Sequence, residues 1–276
     1  MTWSAENPLR VGLAGFGTVG RWLAERLAAG AIPAVRLAAI SARDLAKAAA
    51  NSRHLAPPPL VVPVAELPRH ADAIVECATG EALPEIAKAA LGTGRILIPV
   101  SVGALAAHPE ILDLAGRHGG LIKLATGALP GLDGIRGAAE GSIRSVKLTS
   151  RILPGSLAHE RYILDRGFDF ATPPAEPVRV FQGTAREAAA AFPRHFNVAA
   201  ALSLAGVGFE RTEVEVWADA GIEGAVHNIV VDADDIRLDL TSRNRPSPTN
   251  PRTSRAVGPS VLAALRSLVS PVQVGS

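Results

Sequence analysis

Three glycines near the start of the chain have the spacing of a dinucleotide-binding turn. Gly15, Gly17 and Gly20 stand between an apolar run and a segment with helical periodicity. In such turns the first glycine permits the tight bend, the second lets a pyrophosphate approach the backbone, and the third lets helix and strand pack closely. The segment 21–29 has helical periodicity, and the amides at the start of that helix would favour an anion. Thr18 and Val19 of the turn are also expected to bind the cofactor. The motif predicts a nicotinamide dinucleotide site; the alternative is a plain glycine turn of another α/β protein.

The end of the second apolar run bears on which dinucleotide binds. An acidic residue there would bind the ribose hydroxyls and repel a 2′-phosphate. Here the first polar residue is Ser41, and Arg43 follows two positions later. A guanidinium accommodates a phosphate, so Ser41 and Arg43 favour acceptance of NADP as well as NAD. The alternative is that Arg43 is a solvated surface charge and Asp44 a helix cap.

Histidine is the side chain best suited to move protons near neutral pH. His159, His195 and His227 lie in the second half of the chain, where a substrate domain would face the nicotinamide. The residues alone do not choose among these three. The single cysteine, Cys77, excludes an intrachain disulfide and is interpreted as a small buried hydrophobe rather than a nucleophile. The sequence shows no paired metal-ligand spacing, so no metal is expected.

The elements that must position these residues change character along the chain. Strands alternate with helices up to about residue 130, which predicts βαβ units and a Rossmann-type, doubly wound parallel sheet. Beyond Gly131 several strands with few helices predict a second α/β domain with a mixed or antiparallel sheet. We therefore expect an α/β fold with a dinucleotide-binding domain over 1–130 and a substrate and dimerisation domain over 131–250. A C-terminal helix over 251–270 would pack back on the first domain, and the substrate site would lie in the cleft between them.

Composition excludes several classes of partner. The chain has 276 residues with 28 Lys and Arg against 26 Asp and Glu, a net charge of +2, and only 4% aromatic residues. Neither a basic run nor a set of stacking aromatics is present, so no nucleic-acid partner is expected. The longest apolar stretch, 198–209, is too short to span a bilayer, and residues 1–10 lack the apolar core of a signal peptide. We expect a cytoplasmic protein with no membrane partner.

Several longer segments resemble the L-aspartate dehydrogenase family. The resemblance runs from about Val11 to Leu268, nearly the whole chain, and is most specific in two places. One is Phe-Pro-Arg-His-Phe-Asn-Val-Ala-Ala over 192–200, continued by Leu-Ser-Leu-Ala-Gly over 202–206. The other is Pro-Ser-Pro-Thr-Asn-Pro-Arg-Thr-Ser over 246–254. Two segments of the first half, 101–105 and 125–128, are similar to the family's first-domain signatures.

This resemblance implies an activity and a set of site residues. It implies oxidative deamination of L-aspartate to iminoaspartate, and then to oxaloacetate and ammonia, with NAD or NADP. Iminoaspartate is also a precursor in NAD biosynthesis. The family's active-site histidine corresponds to His227, thirty residues after Asn197. Its cofactor contacts correspond to Ala128 and Asn197, and we expect a homodimer. At the start of its helix, Asn197 is also expected to act as N-cap.

Two positions depart from the family's pattern. His195 stands where the family often has asparagine, and Asn228 follows His227 where the family often has glutamate. Both bear on substrate preference. The alternatives are a dehydrogenase of another amino or hydroxy acid and a non-catalytic regulator that senses a dinucleotide, because a fold does not fix a function. A histidine with a pKa near 7 would accept the amine proton and activate water.

Overall fold

Short apolar runs in the first half of the chain form one parallel sheet, sheet A, as their alternation with helices predicts. Its strands are β1 (Leu9–Ala14), β2 (Val35–Ser41), β3 (Leu60–Val61), β4 (Ala73–Glu76), β5 (Ile96–Pro99) and β6 (Leu121–Ile122). The structure is a computed structural model that describes residues 3–193, 195–247 and 254–275. The strand order is β3-β2-β1-β4-β5-β6. Because this order reverses beside β1, the carboxyl ends of β1 and β4 mark the expected ligand-binding edge.

Helices accompany sheet A and bury their apolar faces. They are α1 (Thr18–Ala28), α2 (Leu45–Ser52), α3 (Leu67–His70), α4 (Leu83–Leu91) and α5 (Glu110–His118). After α1, Gly30 takes a left-handed conformation with φ of 72°, which favours glycine and ends the helix as its position predicts. The side chain of Asp44 accepts a hydrogen bond from the amide of Lys47 and so caps α2.

Longer strands of the second half form a mixed sheet, sheet B. They are β7 (Ile143–Ile152), β8 (Val178–Thr184), β9 (Thr212–Ala218), β10 (Val226–Ala233) and β11 (Arg237–Arg243). The order is β11-β10-β7-β9-β8, and only β7 and β9 run parallel. Along β7, Val146, Leu148, Ser150 and Ile152 are buried and alternate with more exposed residues. This period of two shows that one face of sheet B is packed and the other is open.

The second half contains more helix than its sequence predicts. The helices are α6 (Leu132–Ala139), α7 (Pro154–Leu157), α8 (Arg161–Asp165), α9 (Ala185–Ala191) and α10 (Asn197–Ala205). Thr184 and Glu187 form a capping box at the start of α9. The prediction that Asn197 caps α10 is wrong. Phe196 occupies the N-cap position and Asn197 is the first residue of the helix.

The last helix, α11 (Val257–Val269), begins later than its sequence predicts. Asn250 and Pro251, at the start of the predicted helix, lie outside the described residues. Val261 and Leu265 are fully buried in a core that also contains Leu9 and Leu23 of the first half. The chain accordingly divides into two compact units, one of residues 1–125 and 257–273 and one of residues 126–256 and 274–276.

Candidate active site

The glycine turn follows β1 at the carboxyl edge of sheet A. Gly15 has a φ of 109°, which L side chains rarely adopt, and its amide donates a hydrogen bond to the Ser41 carbonyl at 2.8 Å. A Cβ on Gly20 would collide with the carbonyl oxygen of Gly15, whereas one on Gly17 would meet no atom within 4 Å. Gly20 therefore serves close packing, and the backbone at Gly17 faces open space.

This open space lies where a pyrophosphate would bind. Gly17 is the N-cap of α1 and has no side chain to occupy the helix end. The first turn starts with Thr18 and Val19, so its amides and the helix dipole are available to an anion. Ser41 is only 5% exposed and contributes through its backbone. The residues of the turn fit a dinucleotide.

A cavity of about 380 Å³ opens beside the turn. Its lining residues are Phe16, Arg21, Ala42, Arg43, Asp44, Lys47, Ala48 and Asn51. Three cations, Arg21, Arg43 and Lys47, face one carboxylate, and that carboxylate is already engaged by the amide of Lys47. The cavity thus combines an apolar wall with excess positive charge, which suits a nucleotide that carries an extra phosphate. The sequence analysis identified Arg43 but not Arg21, which lies on α1, or Lys47, which lies on α2.

His227 occupies the packed face of sheet B. In the sheet register it stands between Ser150 of β7 and Ser242 of β11. Its Nδ1 atom lies 2.9 Å from Ser150 Oγ, and Ser150 is itself fully buried. This bond fixes the imidazole plane and engages Nδ1, which leaves Nε2 as the nitrogen suited to exchange protons with a substrate.

Burial sets the protonation state of His227. His227 is only 5% exposed, and this desolvation lowers its pKa from 6.5 to about 4. The expectation of a pKa near 7 is therefore not met by the protein without substrate. At neutral pH the imidazole is neutral and has a lone pair to offer, as a general base requires.

A chain of hydrogen bonds connects Ala128 to the neighbourhood of His227. Ser242 Oγ donates to the Ala128 carbonyl oxygen at 2.6 Å and accepts from Asn244 Nδ2 at 2.9 Å. Ser254 Oγ in turn donates to Asn244 Oδ1 at 2.9 Å. Ser242 is the register partner of His227. These hydrogen bonds therefore bring Ala128, and Ser254 at the end of the segment 246–254, toward the strand that carries the histidine.

The other residues singled out in the sequence of the second unit have distinct surroundings. Asn197 starts α10. His195 Nε2 lies 3.2 Å from a carboxylate oxygen of Glu160, and both side chains are about nine-tenths buried. Asn228 lies on the opposite face of β10 from His227, where its amide donates to Thr241 Oγ1. A substitution at Asn228 therefore cannot change substrate preference by touching the His227 side of the sheet.

Most of the predicted residues fall into two groups. Gly15, Gly17, Thr18, Val19, Ser41 and Arg43 lie together at one edge of sheet A, and Ala128 and His227 are connected through Ser242 in the second unit. Cys77 is not suited to nucleophilic attack, because burial, with a smaller contribution from the Glu76 charge, raises its pKa well above the ordinary value.

Two further observations concern what the described residues lack. Over 3–193, 195–247 and 254–275, no group of three or more His, Cys, Asp or Glu side chains is placed to hold a metal ion. Within the same ranges, every helix is too short or too polar to cross a membrane.

Two known families match different parts of the chain. The family described as "Aspartate dehydrogenase, C-terminal" matches residues 133–268. The family described as "Homoserine dehydrogenase, NAD binding domain" matches residues 15–124. The second match begins at the first glycine of the turn and covers most of sheet A.

Full-length relatives and solved structures give the same result. An L-aspartate dehydrogenase of Bordetella bronchiseptica is 44% identical over 99% of this chain and 100% of its own length. One from Bradyrhizobium diazoefficiens is 41% identical over 99% and 96%. The crystal structure of an aspartate dehydrogenase from Thermotoga maritima, 22% identical, superposes with a TM-score of 0.72 over 97% of this chain and 99% of its own, which shows the shared fold. By its full-length similarity to these relatives, the chain belongs to the L-aspartate dehydrogenase family.

Proposed function

We propose that the protein is an NAD(P)-dependent L-aspartate dehydrogenase that converts L-aspartate to iminoaspartate, and then to oxaloacetate and ammonia. The observation that carries the proposal is His227, a buried and neutral imidazole fixed by Ser150, in a chain whose relatives are named for this activity. We assign cofactor binding to the first unit, with the turn at Gly15–Val19, and substrate chemistry to the second. Iminoaspartate so formed would be available to NAD biosynthesis.

His227 is proposed to handle two protons. Hydride leaves Cα of an amino acid only when the amine is neutral, so Nε2 first accepts a proton from the substrate ammonium group. A dinucleotide held by the turn at Gly15–Val19 would supply the acceptor for that hydride. After the imidazolium has released the ammonium proton to solvent, the imidazole takes a proton from the water that adds to the imine carbon and passes that proton to the departing ammonia. Ser150 keeps the ring oriented through each transfer.

The substrate would raise the pKa of His227 and so strengthen it as a base. A pKa of about 4 makes the free imidazole a weak base, whereas general bases work best when their pKa lies near the operating pH. L-Aspartate brings two carboxylates, and nearby negative charge favours imidazolium and so raises the histidine pKa. We infer that His227 becomes an effective base when a substrate with two carboxylates occupies the site, which favours a dicarboxylic amino acid over one with a single carboxylate.

A substrate panel tests this proposal. The purified protein is given each of a set of amino and hydroxy acids with NAD or NADP, and the absorbance of the reduced nicotinamide is followed. Turnover of L-aspartate far above all others supports the proposal. Preferential turnover of another amino or hydroxy acid would replace aspartate as the substrate. Binding of the dinucleotide without turnover of any acid would favour a non-catalytic regulator.

We further propose that the enzyme accepts NADP at least as well as NAD. The support is the cavity lined by Arg21, Arg43 and Lys47 at the end of β2. Replacing Arg43 by Ala removes a charge-assisted partner of the 2′-phosphate, so the Kd for NADP should rise roughly five- to twentyfold while that for NAD changes little. Arg36→Ala, which removes an exposed charge from β2, the strand that precedes Arg43, is the matched control. Equal losses for both cofactors, or no loss, would contradict the proposal.

A homodimer working in the cytoplasm is proposed as the functional form. The open face of sheet B supports it, because Trp217 and Val230 are only half-buried there among polar residues. A second copy that covers this face would remove both from water. The cytoplasm is favoured because the nicotinamide cofactors are present there and the product would be used there.

A further inference from the structure

The carboxylate of Glu76 is buried in the first unit, and the proposed chemistry gives it no task. The residue is 0% exposed and is the last one of β4. β4 lies beside β1 in sheet A, at the point where the strand order reverses. Ligands of open parallel sheets bind outside the carboxyl ends of the strands at this point.

Four donors engage the two oxygens of Glu76. Oε1 accepts hydrogen bonds from the Ala78 amide at 2.7 Å and from Ser101 Oγ at 3.1 Å. Oε2 accepts from the amides of Val100 and Ser101 at 3.1 and 2.8 Å. Ala78 belongs to the segment after β4, whereas Val100 and Ser101 belong to the segment after β5. One carboxylate therefore joins the two segments.

The segment after β4 also supports the glycine turn. A Cβ on Gly15 would lie 2.5 Å from both the carbonyl carbon and the carbonyl oxygen of Cys77, and 2.7 Å from the Ala78 amide nitrogen. The Cys77 amide donates to the Ala14 carbonyl at 2.7 Å. Because the two backbones touch, a shift of Cys77 and Ala78 would displace the turn at Gly15.

We propose that Glu76 is a positioning residue for the dinucleotide, because it holds the segments after β1, β4 and β5 in the arrangement that receives the cofactor. The inference rests on the proposed dinucleotide binding by the first unit. Only a group that accepts hydrogen bonds at both ends can do this, since each oxygen faces a backbone amide. In Glu76→Gln the new NH₂ group faces an N–H donor whichever way the amide turns, so one of the segments loses its anchor.

Direct binding measurements on the full-length protein test the proposal. Calorimetric titration with NADP and with NADPH gives the Kd of each, and thermal unfolding gives the stability of the same samples. For Glu76→Gln we expect each Kd to rise roughly tenfold or more, the effect of losing a charged hydrogen-bond acceptor. The kcat for L-aspartate at saturating cofactor should change far less than the cofactor KM.

Asp72→Asn is the matched control. Asp72 precedes β4 at the opposite edge of sheet A and its carboxylate binds Arg10 through three hydrogen bonds. This variant also replaces an engaged carboxylate by an amide, so it should lower the Tm while leaving both Kd values within about twofold of the parent. Equal weakening of cofactor binding in the two variants would overturn the proposal, because Glu76 would then act only through general stability.

A milder variant covers the case in which Glu76→Gln does not fold. Ser101→Ala removes one of the four donors and keeps the carboxylate, and it should raise the Kd for NADP roughly two- to fivefold. An unchanged Kd in every folded variant would overturn the proposal. If the parent binds NADP but turns over no aspartate, a selective loss in Glu76→Gln still supports Glu76, and only the proposed activity fails.

Discussion

At the scale of single residues, the position of His227 has two consequences that oppose each other. Burial against Ser150 orients the imidazole, and the same burial makes the imidazolium form costly, so that the pKa falls to about 4. The base is therefore ready to accept a proton at neutral pH but holds it weakly.

Replacing His227 by alanine should abolish proton transfer and leave cofactor binding nearly intact. We expect kcat to fall by roughly 10²–10⁴, the usual contribution of one acid–base group. Because the lost interaction belongs to the transition state, kcat and kcat/KM should fall together. Steady-state kinetics and the Kd for NADP measure these effects.

His195→Ala is the control for this substitution. His195 is held by Glu160 at 3.2 Å, so its loss should disturb the start of α10 without removing the base. Near-normal kcat in His227→Ala together with an inactive His195→Ala would assign the base to His195 instead.

The depressed pKa of His227 also makes stability depend on pH. In the unfolded chain this histidine binds a proton near pH 6.5, and in the folded protein only near pH 4. Between these values the unfolded state binds more protons, so stability is complete above about pH 6.5 and is lost as the pH falls toward 4. From pH 7 to pH 5 the loss should be about 2 kcal/mol. Urea unfolding of the parent and of His227→Gln at both pH values measures it, and an equal decline in the two proteins would contradict the prediction.

Several site residues were beyond the reach of sequence reasoning for physical reasons. Ser150 is one serine on a strand, and its partner His227 is 77 positions away along the chain. Glu76 binds mostly backbone amides, which leave no pattern of residue types. Asn197 was identified, but its capping position was mispredicted. The N-cap lies one residue earlier, at Phe196, and its side chain is not a typical capping side chain.

At the scale of elements, the glycine turn divides its tasks among its members. A Cβ on Gly20 would strike the Gly15 carbonyl, so Gly20→Ala should lower the Tm and weaken dinucleotide binding together. A Cβ on Gly17 meets no atom, so Gly17→Ala should keep the Tm within a degree or two but weaken NAD and NADP alike, since its methyl group enters the phosphate space. Thermal unfolding and calorimetry of the two variants check this contrast. A large loss of stability in Gly17→Ala would contradict it.

Element type was predictable where local pattern and packing agree. The strands of sheet A are short apolar runs ended by glycine or polar residues. The amino-acid sequence alone therefore predicts the order in which strands and helices alternate. In the second unit the alternation along β7 and β10 also predicts strands. The helix α6 was missed because Gly134 and Gly137, at exposed positions between its buried residues, lower its intrinsic helix propensity.

At the scale of the whole molecule, the open face of sheet B gives a test of assembly. Light scattering coupled to size exclusion should give the mass of two chains. Val230→Lys places a charge on the open face and should shift the equilibrium toward one chain. Leu164→Lys, on an exposed position outside the sheet, is the control and should leave the mass unchanged. A parent protein with the mass of a single chain would refute the homodimer.

The return of α11 to the first unit has a consequence for biosynthesis. Val261 and Leu265 complete the core around Leu9 and Leu23, so the first unit cannot close until α11 has left the ribosome. The bulk of the second unit, 126–256, is translated before that helix. Vectorial synthesis usually lets the N-terminal domain fold first; here we expect the order to be inverted. The nascent nucleotide-binding half would therefore remain incompletely folded, and dependent on cellular chaperones, while residues 126–256 are translated.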